Sequence, residues 1–212
     1  MTTGGQQSNH CRATACAART LGLQPHLILR TNADSLGLTG NLLLDHMVGT
    51  NIYTCTTREY GRIGSDALVQ QLCCHLQDVE GNKAYGIPLG GSNAIGTWGY
   101  VEAVDELKLP LDGADSRIRL DHAVFACGRG VTAAAISIGL ALCPMLQPHV
   151  HNVTVCDDPD YFYGPVTQVA DEMGFRNDRL GQSTADFVKK SMTVHQGKGQ
   201  GYALSKIGRA HV

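Results

Sequence analysis

Three glycine-rich turns in this sequence carry residues that could hold an anion. The first, GGQQSNH at residues 4–10, places Ser8, Asn9 and His10 at the start of a helix. The free backbone amides of a helix N-terminus and the positive end of its dipole favour a carboxylate or a phosphate. Ser8 acting only as a helix cap explains the same residues equally well. The spacing therefore leaves an anion site and a plain cap as even alternatives.

The turn ACGRGVTA at residues 126–133 is the best phosphate-binding candidate on physical grounds. It lies between a strand and a helix of small residues. Gly128 and Gly130 let the backbone approach an anion closely, Thr132 adds a hydroxyl, and Arg129 could add a positive charge.

The same turn also fits the dinucleotide-binding pattern G-x-G-x-x-A through Gly128, Gly130 and Ala133. Asp157, at the end of the following strand, stands where such a unit holds a ribose. A dinucleotide-binding domain places this turn after its first strand, whereas several strand–helix units precede it here. NAD binding therefore remains the weaker alternative.

Two further polar segments are better explained as turns than as sites. GGSN at residues 90–93 is typical of a strand-to-helix turn that is capped by its serine or asparagine. CDDPDYFY at residues 156–163 could line a pocket, but its Asp-Pro pair favours a turn.

His149 and His151 could share one face of a strand. They have no cysteine or carboxylate at ligand spacing beside them. We therefore expect surface histidines and no metal site.

The elements that must position these turns alternate between strands and helices. Short apolar runs bounded by turn residues predict strands at HLILRT (26–31), NIYTC (51–55), YGIPLGG (85–91), RLDHAVFAC (119–127) and NVTVC (152–156). Helical spacing and caps predict helices near 8–20, 39–49, 64–77, 95–107 and 132–142. This order predicts an α/β fold with parallel sheets. No strand is predicted before the first glycine turn, so we expect the chain to begin in the middle of a motif.

Composition excludes several classes of protein. The 212 residues include 17 basic and 19 acidic side chains, for a net charge of −2, and 43% are hydrophobic. A disordered chain, a nucleic-acid partner and a membrane surface are therefore not expected. The apolar stretch 131–146 is shorter than the roughly 20 residues that span a bilayer. The eight cysteines include no C-x-x-C pair, which favours buried free thiols in a reducing compartment.

Five motifs in this order carry a resemblance to a known family: GGQQSNHCRATA, LGLTGNLL, IPLGGSNAIGTWGYVEA, ACGRGVTAA and CDDPDYFY. Together they resemble the D-cysteine desulfhydrase and 1-aminocyclopropane-1-carboxylate deaminase family, from residue 3 to about residue 204. The NHCRATA and DDPDYFY forms are closer to the desulfhydrase branch. The resemblance implies a pyridoxal 5′-phosphate enzyme with the three-layer αβα, tryptophan-synthase-β-like fold (PLP fold type II).

The resemblance also implies roles for the residues of two turns. The loop at residues 4–10 would bind the substrate carboxylate through Ser8, Asn9 and His10. Ser8 would act as a catalytic residue in proton transfer or nucleophilic steps, and Asn9 would contact the ring oxygen of the cofactor. The cofactor phosphate would be held by Gly128, Arg129, Gly130, Val131 and Thr132, of which Val131 stands where relatives have a glycine.

The implied reaction is the conversion of D-cysteine to sulfide, pyruvate and ammonia. The alternatives are a 1-aminocyclopropane-1-carboxylate deaminase-like activity or a non-catalytic protein that binds a phosphorylated ligand. The expected partner is a small amino acid, and the full-length protein is expected to be a homodimer in the cytoplasm or the mitochondrion.

The resemblance further implies a division of the chain. Residues 1–93 would form most of a small α/β domain with the Ser-Asn loop, and residues 94–205 part of the large domain that binds the cofactor phosphate. The last seven residues, KIGRAHV (206–212), resemble a translated sequencing adapter and are expected to be non-native.

Relatives carry the lysine that forms the Schiff base upstream of the Ser-Asn loop. The first lysine of this chain is Lys83, between a predicted helix and a predicted strand. We therefore expect this chain to be a fragment, truncated at both ends, that is inactive by itself.

Overall fold

The computed structural model describes residues 1–111, 120–128, 130–143, 146, 148–154, 158–175 and 183–197. Contacts between Cα atoms divide the chain into two units, Met1–Gly91 and Ser92–Val212. Each unit contains a parallel three-stranded sheet with helices between its strands. The predicted parallel α/β class is confirmed.

In the first unit, three strands pair in the order β1-β2-β3. The strands are β1 (Thr2–Gly5), β2 (His26–Arg30) and β3 (Asn51–Cys55), and the helices are α1 (Asn9–Thr20), α2 (Gly40–Met47), α3 (Thr57–Ile63) and α4 (Ser65–Asp78). In the parallel register Thr3 pairs with Ile28, and Ile28 pairs with Tyr53. We call this sheet the first sheet.

Strand β1 corrects the expectation that no strand precedes the first glycine turn. Its sequence, TTGG, has no apolar pattern, yet Thr2 and Thr3 are fully buried. The Thr3 hydroxyl donates a hydrogen bond to the Ile28 carbonyl at 2.8 Å, in addition to the ladder with β2. The turn into α1 therefore follows a strand, as parallel α/β architecture requires.

The expected strand at residues 85–91 is absent from this segment, which is described throughout. Residues 81–88 form no regular element and lead into a short 3-10 turn, Leu89–Gly91. The segment runs beside β1, where the Ile87 amide donates to the Met1 carbonyl at 2.8 Å. Pro88 has no amide hydrogen to continue a ladder, which explains why the apolar run does not become a strand.

Both faces of the first sheet are covered. Leu27 and Leu29 of β2 lie in a core with buried residues of α1 and α2, whereas Ile28 lies in a second core with buried residues of α4. Successive side chains of a strand point to opposite faces, so the two cores lie on the two sides of the sheet. This arrangement gives three layers, αβα.

In the second unit, three strands pair in the order β4-β5-β6. The strands are β4 (His122–Cys127), β5 (His149–Thr154) and β6 (Met192–His195), and the helices are α5 (Ala94–Leu111), α6 (Val131–Ala141), α7 (Tyr163–Glu172) and α8 (Thr184–Ser191). One face of this second sheet packs against α6, α7 and α8, and Val150 and Met192 of the sheet share this core with Phe162 of the 3-10 turn before α7.

The other face of the second sheet carries four histidines. His122, His149 and His195 are exposed and His151 is half-buried. We call this surface the histidine face. No helix in the described part of the chain is both long enough and apolar enough to cross a membrane.

Candidate functional site

Ser8 caps α1, as the sequence predicts. Its side-chain oxygen accepts a hydrogen bond from the Cys11 amide at 3.1 Å, and its backbone is extended, with φ −66° and ψ 115°. The Ser8 amide donates to the Gly5 carbonyl at 3.0 Å, which closes the turn after β1. The cap bond uses only the acceptor capacity of the hydroxyl, so the hydroxyl proton can still be donated.

Gly4 allows β1 and α1 to approach each other closely at this point. A Cβ atom on Gly4 would lie 2.7 Å from Cys11 Sγ and 2.8 Å from Ser8 Oγ. These distances are too short for non-bonded atoms, so a larger residue would displace the serine. Gly4 therefore fixes the position of the Ser8 hydroxyl through the space that it leaves.

Asn9 is exposed, and its side chain has one partner among the described residues. Asn41 Nδ2 donates to Asn9 Oδ1 at 3.1 Å and to the Gln7 carbonyl at 2.7 Å. Asn41 lies in the first turn of α2. Its motif, LGLTGNLL, contributes to the family resemblance, but the sequence alone assigns Asn41 no role.

His10 is held against the start of β1. Its Nε2 atom hydrogen-bonds with the hydroxyl of the buried Thr2 at 2.9 Å. Burial lowers the pKa of His10, and a hydrogen bond with the Pro88 backbone partly opposes that shift. The imidazole is therefore neutral near pH 7 and carries one donor and one acceptor nitrogen.

The turn from β4 to α6 is built from the main chain. Gly130 is the N-cap of α6 and has a left-handed backbone with φ 80°, and none of the described side chains caps this helix. Its carbonyl accepts from the Ala134 amide at 2.8 Å, whereas the amides of the first turn have no partner within the helix. Val131 and Thr132 are half-buried in that first turn. Arg129 lies outside the described residues.

The predicted site residues fall into two groups. Ser8, Asn9 and His10 are neighbours at the N-terminus of α1 in the first unit. Gly128, Gly130, Val131 and Thr132 precede or open α6 in the second unit. Each group lies where the chain leaves a strand and begins a helix.

The two segments that were predicted to be turns have the expected caps. Asn93 Oδ1 accepts from the Gly96 amide at 2.8 Å at the start of α5. Asp158 Oδ1 accepts from the Asp160 amide at 2.9 Å, beside the 3-10 turn Pro159–Phe162. The caps are confirmed for these residues, but no strand directly precedes Gly90, so the first of the two segments is not the strand-to-helix turn that was predicted. Cys156 and Asp157 lie outside the described part of the chain.

The histidine face joins the two predicted histidines to two that the sequence did not single out. His151 Nε2 lies 2.9 Å from His122 Nδ1, and His151 Nδ1 lies 2.9 Å from His195 Nε2. Only the parallel register could have shown that strands so far apart in sequence bring these rings together. Among the described His, Cys, Asp and Glu side chains, no group of three or more is arranged to hold a metal ion.

Two parallel three-stranded sheets, each with a glycine-containing turn between a strand and a helix, define an α/β protein. The family model for pyridoxal-phosphate dependent enzymes matches residues 2–204. The chain belongs to this family.

One curated relative is the protein named "Bifunctional D-cysteine desulfhydrase/1-aminocyclopropane-1-carboxylate deaminase, mitochondrial" of Arabidopsis thaliana. It is 44% identical over 209 residues, which are 97% of this chain and 49% of that protein. The chain therefore spans about half the length of this relative.

Solved structures show the same fold. A homologue of ACC deaminase superimposes with a TM-score of 0.63 and 24% identity, over 92% of this chain and 72% of the other. A threonine deaminase from T.th. superimposes with a TM-score of 0.57 and 15% identity, over 92% of this chain and 59% of the other. The predicted tryptophan-synthase-β-like fold (PLP fold type II) is confirmed.

Proposed function

We propose that the whole protein is a pyridoxal 5′-phosphate-dependent lyase that converts D-cysteine and water to sulfide, pyruvate and ammonia. The observation that carries this proposal is the N-terminus of α1, where the capping hydroxyl of Ser8 stands beside Asn9 and His10. The name of the Arabidopsis relative supports the choice of substrate. When bound, the cofactor supplies the electron sink for the substrate carbanion.

The turn at the start of α6 fits the phosphate of this cofactor. Gly130 leaves the helix without a side-chain cap, so main-chain amides are available at the positive end of the helix dipole. Gly128, Arg129, Gly130, Val131 and Thr132 would hold the phosphate, with the Thr132 hydroxyl as an additional donor. Val131 contributes its amide in place of the glycine of relatives.

The first turn of α1 would bind the substrate carboxylate. The amides of Asn9 and His10 have no partner within the helix, and the dipole favours a negative charge at this end. His10 stands in this first turn, held in place by Thr2, and would line the carboxylate site beside the free amides. Ser8 would move a proton during the reaction, since its hydroxyl is both an acceptor and a donor.

An activity on 1-aminocyclopropane-1-carboxylate is the second candidate, because the name of the Arabidopsis relative includes both reactions. We further propose that residues 1–93 lie mostly in a small domain and that residues 94–205 form part of a large domain. The full-length protein would be a homodimer, and a nucleic-acid partner is not expected. A mitochondrial or cytoplasmic location is proposed, the former because the relative is named as mitochondrial.

The test uses the protein encoded by the complete transcript, with D-cysteine, L-cysteine and 1-aminocyclopropane-1-carboxylate as substrates. We expect equimolar sulfide and pyruvate from D-cysteine. Ser8→Ala is expected to lower kcat by about 100-fold or more, the usual range for loss of a proton-transferring group. Saturable binding of pyridoxal phosphate without any turnover would overturn the proposal in favour of a non-catalytic binding protein.

Ser183→Ala is the matched control. Ser183 caps α8 as Ser8 caps α1, and its side-chain oxygen accepts from the Asp186 amide at 3.2 Å. Each alanine variant loses one helix cap, worth about 1 kcal/mol. Only Ser8→Ala should affect kcat, and an equal loss of kcat in both variants would show that the effect comes from the caps.

A further inference from the structure

Asn41 joins the loop at residues 4–10 to helix α2. Its side-chain nitrogen donates to the Gln7 carbonyl at 2.7 Å and to Asn9 Oδ1 at 3.1 Å. These bonds connect residues that are 34 and 32 positions apart. Asn41 is half-buried, whereas Asn9 is exposed. The orientation of the Asn9 amide therefore depends on Asn41 more than on packing.

The hydrogen-bond chemistry fixes the identity of each amide atom in turn. A backbone carbonyl can only accept, so the Asn41 atom that faces Gln7 must be Nδ2. The second hydrogen of this nitrogen must also meet an acceptor, so the Asn9 atom that faces Asn41 must be Oδ1. The Nδ2 group of Asn9 is consequently turned away from Asn41, and its two hydrogens remain available.

We propose that Asn41 is a positioning residue that holds Asn9 Nδ2 in the orientation needed to donate to the ring oxygen of the cofactor. The inference rests on the proposed function and on the contact between Asn9 and that oxygen, which the family resemblance implies. An exposed amide without Asn41 can rotate by half a turn at little cost and present its own oxygen instead. Two acceptors would then face each other, and the hydrogen bond to the ring oxygen would be lost.

The test compares two ligands, pyridoxal 5′-phosphate and 3-deoxypyridoxal 5′-phosphate, which lacks the ring oxygen. Both are titrated into the apoprotein made from the complete transcript. Asn41→Asp keeps the shape of the side chain but removes both donors, so Asn9 is expected to rotate and donate to the new carboxylate. We expect the affinity for pyridoxal 5′-phosphate to fall about tenfold, which corresponds to one lost hydrogen bond. The dissociation constant of the deoxy ligand should change less than about twofold, because this ligand has no ring oxygen to accept the hydrogen bond.

Asn32→Asp is the control for added charge in the first unit. Asn32 Oδ1 accepts from the Thr57 amide at 2.9 Å, a bond that a carboxylate can keep. This variant should bind both ligands as the unmodified protein does. Asn41→Ala is the second test variant, and it should weaken pyridoxal 5′-phosphate selectively but less than Asn41→Asp, because the Asn9 amide is then free to adopt either orientation.

The outcomes separate the inference from the proposed function. Equal losses for both ligands, or no loss for either, would overturn the role of Asn41 while leaving the cofactor assignment intact. If the unmodified protein binds neither ligand, the proposed function fails and the inference fails with it. A selective loss for the ligand with the ring oxygen supports both.

Discussion

The two sheets of this protein bury their strands differently. In the first sheet, the central strand β2 has three consecutive buried residues, Leu27, Ile28 and Leu29, because helices cover both faces. In the second sheet, β5 alternates between buried and less buried residues, and the histidine face is polar. A parallel sheet that is covered on both faces has continuous apolar strands, whereas alternation marks a sheet packed on one face.

The two turns that are proposed to bind anions also differ from each other. In the first unit, the N-terminus of α1 is shaped by side chains: Ser8 caps the helix, and Asn41 and Thr2 hold Asn9 and His10. In the second unit, Gly130 begins α6 without any side-chain cap. The proposed substrate site therefore depends on side chains from separate elements, whereas the proposed phosphate site depends mainly on the main chain at the start of α6.

The largest effect is expected from a substitution in the doubly covered sheet. Leu29→Ala removes a fully buried side chain from the core formed with α1 and α2, and should lower the free energy of unfolding by about 2–5 kcal/mol. Val124→Ala, at a position that is 67% exposed in β4, should change it by no more than about 0.5 kcal/mol. Urea denaturation measures both. Similar losses would contradict the difference between the sheets.

The next effect concerns the space between β1 and α1. Gly4→Ala places a methyl group 2.7 Å from Cys11 Sγ, and the resulting displacement should cost about 1–3 kcal/mol. Gly61→Ala in α3 meets no atom within 4 Å and should be neutral or slightly stabilising, since alanine favours helix. Thermal denaturation compares the two variants. A fully stable Gly4→Ala variant would show that Ser8 is not held by this close approach.

A smaller effect is expected from a buried acid of the first unit. Asp45 is 1% exposed, one of its carboxylate oxygens has no hydrogen-bond partner, and burial raises its pKa. Asp45→Asn removes the buried charge and should raise the free energy of unfolding at pH 7 by about 1 kcal/mol. Because the folded pKa is the higher one, the gain should shrink as the pH falls through it and the native acid becomes protonated.

The exposed Asp34 provides the comparison for this variant. Urea denaturation at pH 7 and at a pH below the folded pKa of Asp45 measures the effect. Asp34→Asn should leave the urea midpoint unchanged at both of these pH values. If Asp45→Asn is destabilising at pH 7, the Asp45 carboxylate has a stabilising partner and its charge does not destabilise the folded chain.

The smallest effect is expected on the histidine face. Desolvation, followed by the neighbouring His149, His122 and His195, lowers the pKa of His151 below 6.5. The unfolded chain therefore takes up a proton at a higher pH than the folded chain, and stability should decrease as the pH falls through 6.5. The measurement compares two melting temperatures, one taken about one pH unit above the ordinary pKa of histidine and one about one unit below it. The difference between them should be smaller in His151→Gln than in the unmodified protein.

The exposed His75 of α4 is the control for this measurement. His75→Gln should leave the difference between the two melting temperatures as it is in the unmodified protein. A larger loss on acidification in His151→Gln than in the unmodified protein would mean that the charged form of His151 is stabilised in the folded chain.

The strands that the sequence predicted correctly are those with branched apolar runs. HLILR and NIYTC form β2 and β3 close to their predicted limits. TTGG was missed because its stability comes from pairing with β2 and from buried hydroxyls, which leave no apolar pattern. YGIPL was predicted wrongly because the apolar residues outweighed Pro88. Local patterns therefore describe strands only where side chains, and not main-chain partners, supply most of the stability.

The candidate site shows the same limit. The glycine turns, the Ser8 cap and the start of α6 follow from local rules on caps and backbone conformation. The bonds from Asn41 to Asn9 and from Thr2 to His10 depend on how separate elements meet in space. No spacing rule connects residues 32 positions apart, so their roles become visible only in the folded chain.

The contacts of β1 with the segment after α4 have a consequence for folding kinetics. The Met1 carbonyl accepts from the Ile87 amide, and the Thr2 hydroxyl donates to the Pro88 carbonyl across 86 positions. Closing a loop of this length is entropically costly and slows the step that forms it. We therefore expect the contact between Thr2 and Pro88 to form after the more local pairing of β1 with β2. A chain that has not completed this step would keep the pairing of β1 with β2 but would lack the contacts that hold β1 against residues 85–88.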